Sequence, residues 1–319
     1  MKRKLFTIIL SLVFAFVIFS GFNLYAAQKF LKFGSASMGG GFYSIGAVLT
    51  KVLNDNLKGI KIAHQATGGS STNCRYLNKG ELDIALAQST AIKDAYFGKG
   101  KFKSPQKNIR GITVIYFTRF HVVVRKGSGI KSIADFKGKR IDLGPVGGGI
   151  EVNTIKAMKV YGLTVKDIIP LHFSRSEFTE MFKTGRVDGH IWATYAPKAK
   201  IAELILANKV RLVPIEEDKI KLLIKKNPEL APAVIKGGTY KDHPNDIHTV
   251  AAAAWLMTRK DLDPKIVYQI VKIIYNNLDT LRAQHKYFKD TKLESALKAK
   301  VAPLHPGAAK FYKEKGLIK

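Results

Sequence analysis

The amino-acid sequence predicts an α/β fold, and three observations support that fold class. Apolar residues alternate along the chain between the period of strands and the period of helices. Glycine-rich turns stand at three places between a strand-like run and a helix-like run. About 290 residues follow a hydrophobic N-terminal segment, enough for one large or two ordinary domains with cores of their own. This alternation predicts mostly parallel sheets.

Each predicted strand is a short run of apolar and β-branched residues that glycine, proline or polar residues bound. In chain order, the predicted strands are Phe30–Ser35, Ile60–Ala66, Leu82–Ala87, Arg110–Tyr116, Phe120–Arg125, Arg140–Leu143, Val187–Ala193 and Thr249–Met257.

Each predicted helix has apolar residues that recur on one face. Ser174 with Glu177 fits a capping box, Asp263 before Pro264 fits a helix start, and Gly162 fits a helix end. The predicted helices are Tyr43–Asn56, Ser71–Lys79, Ala91–Tyr96, Ile150–Tyr161, Ser174–Thr184, Pro197–Ala207 and Pro264–Leu281.

The N-terminal segment has the pattern of a secretory signal peptide. Met1 to Lys4 is basic, residues 5–21 are almost wholly apolar, and Tyr25-Ala26-Ala27 precedes a cleavage site. We therefore expect residues 1–27 to direct export to the periplasm and then to be removed. Tyr25 is larger than the small residue usual at its position, so an uncleaved membrane tether is the alternative.

The three glycine-rich turns predict a site for an anion. They are Gly39 to Ser44, Thr67 to Asn73 and Gly144 to Gly149, and each one opens a predicted helix. Glycines expose backbone N–H groups to a ligand, and the N-terminus of a helix favours negative charge. Similar turns on two facing domains would clamp a small ligand between them, which is the geometry of a hinged solute receptor.

The charge and the reactive side chains exclude several other function classes. The net charge is +29, but the lysines are scattered and form no arginine-rich stripe, so nucleic acid is not the expected partner. Cys74, the single cysteine, has only His64 as a loose candidate base and is expected to be inert. The histidines lack metal-ligand spacing, and no nucleophile elbow or Walker sequence is present. We expect no metal, no cofactor and no enzymatic activity.

Several motifs, taken together in their order, resemble the TAXI-type solute receptors of tripartite ATP-independent periplasmic (TRAP) transporters. The resemblance runs over nearly all of the chain that follows the leader. The motifs are Gly34-Ser35 to Gly46, Thr67 to Asn73, Gly80 to Ser89, Gly185-Arg186-Val187-Asp188-Gly189, Gly238-Thr239-Tyr240 and Pro303 to Ala308.

This resemblance implies a two-lobed type II periplasmic-binding-protein fold with a hinge and an interdomain cleft. Residues 28–118 and 238–319 would form lobe I, and residues 119–237 would form lobe II. The protein would be a monomeric receptor that captures a small anionic or zwitterionic solute, with a glutamate-like amino acid or a dicarboxylate expected. Closure would present the solute to the large and small TRAP membrane subunits, separate or fused. A sensory receptor of the same fold, and then a secreted enzyme, are the alternatives.

The candidate ligand-binding residues come from the turns and from the carboxyl ends of strands. Trp192 is a further candidate for an aromatic wall, whereas Glu151 would repel an acid unless it points outward or meets an ammonium group. Arg119 could clamp a carboxylate with two hydrogen bonds. The full set is Gly41, Tyr43, Gly69, Ser70, Asn73, Gln88, Ser89, Arg119, Gly148, Gly149, Asn153 and Tyr195.

Overall fold

The computed structural model describes residues 28–174 and 176–319, so the predicted signal peptide lies outside the described residues. The strands are β1 (Lys29–Gly34), β2 (Ile60–Gln65), β3 (Ile84–Gln88), β4 (Ile109–Arg125), β5 (Arg140–Asp142), β6 (Ile169–Leu171), β7 (Gly189–Thr194), β8 (Val210–Val213), β9 (Leu230–Ile235) and β10 (Ile247–Arg259). The helices are α1 (Gly41–Asn56), α2 (Ser70–Lys79), α3 (Ser89–Phe97), α4 (Gly149–Lys159), α5 (Phe178–Lys183), α6 (Ala199–Leu206), α7 (Glu217–Lys226), α8 (Pro264–Asn276), α9 (Leu278–Gln284) and α10 (Pro306–Glu314).

All the strands belong to one mixed sheet of ten strands. Its order is β2-β1-β3-β10-β4-β7-β5-β6, while β8 pairs with β4 and β9 pairs with β10. The pairs β1–β2, β1–β3, β5–β6 and β5–β7 are parallel, as predicted. The prediction of mostly parallel sheets was wrong in the middle, because the long strands β4 and β10 run antiparallel to each other and to their other partners.

Two long strands are shared by two hydrophobic cores. Ile112, Ile115 and Tyr116 of β4 and Ala254 of β10 pack with β1, α1 and α8. Farther along the same strands, Phe120 of β4 and Ala252 of β10 pack with β5, β7 and α4. We call the first body lobe I and the second lobe II.

The predicted lobe boundary at residues 118/119 lies on β4, between Tyr116, which packs in the first core, and Phe120, which packs in the second. The predicted boundary at residues 237/238 lies in the turn between β9 and β10, and Tyr240 and Ile247 after it pack with the buried residues of lobe II. A Cβ atom on Gly237 would lie 2.0 Å from the carbonyl oxygen of Pro244, so glycine is needed there for a tight turn.

The remaining differences from the predicted elements have local causes. The two strands predicted on either side of Phe117 are one continuous strand, β4. The long helix predicted from Pro264 ends at Asn276, and α9 follows it as a separate helix. The strands β6, β8 and β9 and the helices α7 and α10 are absent from the predicted elements; β6 has three residues, and both β6 and β9 contain proline.

Helix α8 begins as predicted, because the side chain of Asp263 accepts a hydrogen bond from the Lys265 amide and Pro264 is the first helical residue. Glu177 also binds back to Ser174, although α5 itself begins only at Phe178. Within the described residues, no helix combines the length and the apolar character needed to cross a membrane.

Candidate ligand-binding cleft

A cleft with an empty volume of about 550 Å³ lies where residues of both lobes meet. Lobe I contributes the turns before α1 and α2 and the end of β3, and lobe II contributes the turn before α4 and the end of β7. Among the described residues, no Asp, Glu, Lys, Arg or His lines this cleft. Its side-chain polarity comes from Ser37, Ser70, Gln88, Tyr116, Trp192 and Thr194.

Three helices begin at the cleft, and none of the three has a side-chain cap. The N-cap residues of α1, α2 and α4 are Gly40, Gly69 and Gly148. Glycine has no side chain that could occupy the helix end, so the first-turn amides are left for another acceptor. Within the described part of the chain, the amides of Gly41 and Gly149 donate to no backbone or side-chain acceptor.

The third helix end is already partly occupied by the opposite lobe. The amides of Ser71 and Thr72, in the first turn of α2, donate to the carbonyl oxygen of Gly147 over 3.1 and 3.3 Å. Gly147 has a φ of +77°, and a Cβ atom there would lie 2.7 Å from the Thr72 hydroxyl oxygen. The turn before α4 thus caps α2 when the lobes meet, and the Ser70 end of α2 still faces the cleft.

A chain of three hydrogen-bonded side chains connects the lobes behind the cleft. The Thr90 hydroxyl donates to Asn153 Oδ1 over 2.6 Å, and Asn153 Nδ2 donates to Gln88 Oε1. Because its oxygen is used by Asn153, the Gln88 amide has its NH₂ group left for the cleft. The Gln88 backbone amide donates to Ser70 Oγ over 3.1 Å, which ties β3 to the start of α2.

Six of the twelve predicted ligand-binding residues line the cleft, and six do not. The structure brings together Gly41, Gly69, Ser70, Gln88, Gly148 and Gly149. Asn153 lies behind Gln88 and acts on it rather than on the cleft. Tyr43 points instead toward His64, with 4.9 Å between the ring centroids.

Asn73 and Ser89 have structural partners in place of a ligand. Asn73 Nδ2 donates to the carbonyl oxygens of Ser35 and Leu86, both over 2.7 Å, and so joins the ends of β1 and β3. Ser89 Oγ donates to the carbonyl oxygen of Glu229 over 3.0 Å and accepts from the Ala253 amide over 3.2 Å. Both residues are fully buried, and their hydrogen bonds hold the strands that shape the cleft.

Arg119 and Tyr195 lie outside the cleft, and Arg119 lines a second groove. The Tyr195 ring stacks on Tyr287 at 4.8 Å, and the Arg119 guanidinium lies 5.9 Å from the Tyr195 ring centroid. Arg119 lines this second groove together with Asp290. Burial raises the pKa of Asp290, and the nearby Arg119 charge opposes that rise.

Glu151 points away from the cleft, so the expected repulsion of an acid does not arise. Its carboxylate forms an ion pair with Lys101 of lobe I and accepts a hydrogen bond from the Gly147 amide over 3.3 Å. An ammonium group in the ligand is therefore not required to balance Glu151.

The sequence did not identify the aromatic floor of the cleft beyond Trp192. Phe42 and Tyr116 line it, and their rings meet edge to face with 6.2 Å between the centroids. Burial raises the pKa of Tyr116 well above its usual value, so the hydroxyl remains protonated. The sequence predicts Tyr116 only as the end of a strand, and its place in the cleft depends on the continuation of β4 past it.

The structure buries Cys74 and gives His64 a partner other than Cys74. Cys74 is fully buried, and burial raises the pKa of its thiol to about 12. His64 Nε2 is 2.7 Å from Ser35 Oγ, and burial lowers the pKa of this histidine. Within the described ranges, no group of three or more His, Cys, Asp or Glu residues could hold a metal ion.

Comparison with known proteins gives both a sequence family and a fold. The sequence model of the NMT1-like family matches residues 33–316. MatC (Rpa3494) from Rhodopseudomonas palustris, solved with bound malate, superposes with a TM-score of 0.58 at 12% identity, over 91% of this chain and 96% of that one. The periplasmic binding protein BugD gives 0.56 at 12% identity, over 91% and 98%. XAC2383 from Xanthomonas citri, bound to ATP, gives 0.54 at 12% identity, over 90% and 95%. These similarities show a two-lobed periplasmic-binding-protein fold.

Proposed function

The chain belongs to the NMT1-like family and has a periplasmic-binding-protein fold, and from this premise we propose that it is a solute receptor for a small carboxylate. The solute would be captured outside the cytoplasm and held in the cleft between the lobes. The protein would bind it without chemical change.

One observation carries the carboxylate assignment: helix N-termini from both lobes face a cleft that no carboxylate lines among the described residues. A helix N-terminus stabilises a nearby negative charge by roughly 0.3–1 kcal/mol at an exposed site and by more in a partly buried one. Gly41 and Gly149 line the cleft from opposite lobes, so one anion bound between them could accept hydrogen bonds from both amides. The NH₂ group of Gln88 adds a third donor.

Within the class of small carboxylates, the lining favours acids that carry no ammonium group. An amino acid would bring its ammonium group to three helix N-termini and would meet no acidic side chain there. Aromatic faces such as those of Tyr116 and Trp192 stabilise a cation by roughly 0.5–2 kcal/mol, which would offset part of this cost. We propose that dicarboxylates or oxo acids bind more tightly than glutamate-like amino acids. The fold does not decide this, since its relatives hold malate in one case and ATP in another.

Capture would occur by hinge closure, with β4 and β10 as the connecting strands. We place the first crossing between Tyr116 and Phe120 and the second between Ala252 and Ala254, where the packing changes from one lobe to the other. These positions lie opposite each other, because Ala254 pairs with Tyr116 and Ala252 pairs with Thr118. The register of the two strands shifts just past Ala254, which gives this region a local irregularity.

The motifs that resemble those of TAXI-type receptors support a TRAP transporter as the partner of this protein. The closed lobes would present the solute to its membrane subunits, and the leader would place the receptor in the periplasm or tether it to the membrane. Copurification of the protein with TRAP membrane subunits in the presence of the solute would test this assignment. The same experiment with a sensor kinase or chemoreceptor would test the sensory alternative.

A thermal-shift panel tests the proposed ligand class. The purified protein is melted with dicarboxylates, oxo acids, amino acids and neutral sugars, since a ligand that binds only the folded state raises the melting temperature. We expect a saturable rise with an acid and a smaller rise with the matching amino acid. A rise with a neutral compound alone would contradict the assignment of the helix ends as an anion site.

A further inference from the structure

A set of charged side chains pairs across the lobes outside the cleft. The lobe I members are on or just after α3, and the lobe II members are on α4 or just before β9. The cross-lobe pairs are Lys93 with Glu229 at 2.8 Å, Lys156 with Asp94 at 2.9 Å, and Lys101 with Glu151. None of these six side chains lines the cleft, so the pairs do not depend on a bound solute.

Glu229 is the most enclosed carboxylate of the set, and Lys156 is its most enclosed lysine. The Glu229 side chain has no solvent exposure, and that of Lys156 is 14% exposed. Lys156 also lies 3.5 Å from the second Glu229 oxygen, so it contacts carboxylates of both lobes. Removing one partner from such a pair leaves a buried charge uncompensated, which is strongly unfavourable unless water reaches it.

Repulsion between positive charges opposes closure of this protein, so closure needs negative charges at the contact between the lobes. The chain has 53 lysines and arginines but only 24 aspartates and glutamates, so bringing its lobes together opposes positive charges. The cross-lobe pairs place three carboxylates between lysines at the contact. Lys93 and Lys101 remain 23% and 43% exposed, so they lose only part of their hydration when the lobes meet.

We propose that these six residues form an electrostatic latch that holds a fraction of the protein closed before any solute binds. Separation of the lobes breaks all three cross-lobe pairs and leaves only the Lys156–Glu229 contact within lobe II. The latch therefore sets the ratio of closed to open protein. The affinity for a solute that binds the closed form follows from that ratio, because apparent affinity scales with the competent fraction.

The test measures the distance between the lobes without a solute. Spin labels are attached to F30C in lobe I and L206C in lobe II, both of which replace exposed side chains, at 68% and 63% exposure. Cys74 is fully buried and its thiol pKa is raised to about 12, so it does not compete for the label. Pulsed electron paramagnetic resonance then gives the populations of each interlobe distance.

The variants are Lys156→Gln and Lys101→Gln, with Lys183→Gln as the matched control. Lys183 loses the same charge, but its partner Glu203 lies 2.7 Å away within the same lobe. Lys101 is the more exposed latch residue, so Lys101→Gln keeps the test available if Lys156→Gln does not fold.

We expect the ligand-free wild type to populate the distance of this structure, and each latch variant to lower its closed-to-open ratio by about tenfold. The control variant should match the wild type. High salt should shift the wild type in the same direction by a smaller factor, since partly buried pairs are screened less.

The proposal is overturned if the ligand-free wild type lacks the distance of this structure, or if the latch variants share the wild-type distribution. This result does not depend on the ligand class. If no acid raised the melting temperature in the thermal-shift panel, the proposed ligand class would be wrong. The interlobe distances would be unaffected by that result, because they are measured without a solute.

Discussion

The substitution Gly149→Ala should weaken closure of the lobes without weakening their folding, because the added methyl group would clash with the other lobe. A Cβ atom on Gly149 would lie 2.6 Å from Ser70 Oγ and 3.2 Å from Ser70 Cβ. Gly149 does not have a positive φ, so alanine fits the backbone of lobe II without strain. Alanine is also favoured over glycine in a helix by about 0.5–1 kcal/mol.

The cost of this substitution falls on the closed form. Relief of the clash moves the lobes apart and strains the Thr90–Asn153 and Asn153–Gln88 hydrogen bonds. At about 0.5–1.5 kcal/mol for each bond, the closed form loses about 1–3 kcal/mol. The affinity for the solute should therefore fall by about 5- to 150-fold.

Isothermal titration calorimetry with the acid that gives the largest thermal shift measures this loss of affinity. The melting temperature without ligand is the control for folding. The melting temperature without ligand should stay the same or rise slightly. Adding Ser70→Gly removes both clashing atoms and should recover part of the affinity, since the Ser70 hydroxyl also accepts the Gln88 amide. Wild-type affinity in Gly149→Ala alone would refute the closed cleft as the binding site.

Three further outcomes test individual side chains. Asn73→Ala should lower the free energy of unfolding by about 1–3 kcal/mol, because two buried carbonyl groups lose their donor. Urea unfolding measures this loss. An unchanged free energy of unfolding would contradict the structural role of Asn73. Asn153→Asp should turn the Gln88 amide so that its oxygen faces the cleft and should weaken acid binding by at least about tenfold; equal affinity in titration would refute this orientation. The Arg140 guanidinium, more than that of Arg125, holds the pKa of Asp188 below its usual value. Asp188 therefore contributes stability that is complete above the ordinary pKa of about 3.9 and lost as the pH falls through the depressed one. Asp188→Asn should destabilise the protein at pH 7, and the difference should shrink in acid; a constant difference would contradict this linkage.

Local sequence signals predicted the helix starts at the cleft well. The glycine turns before α1, α2 and α4 lie where the sequence predicts them. Each of these helix starts is marked by glycines next to it in the sequence, so no contact with a distant part of the chain is needed to predict it. The six predicted residues that line the cleft come from these turns and from the adjoining end of β3. Their positions at the helix starts and the strand end follow from local sequence, whereas the cleft that brings them together depends on the whole fold.

Long-range pairing could not be predicted from the same signals. The continuity of β4 past Phe117 depends on β10 and β7, which pair with it from distant parts of the chain. Asn73 has a structural role because the carbonyl groups of Ser35 and Leu86, which accept its hydrogen bonds, come within reach only in the folded sheet. Lys101 likewise forms its ion pair with Glu151 only in the folded protein, and no spacing in the sequence predicts this pair.

A structure of the protein crystallised with the acid that gives the largest thermal shift would show whether that acid binds between the lobes. We expect a carboxylate within hydrogen-bonding distance of the Gly41 and Gly149 amides, with the NH₂ group of Gln88 as a further donor and with both lobes in contact with the acid. An acid bound at the Arg119 groove, or held by one lobe alone, would contradict it.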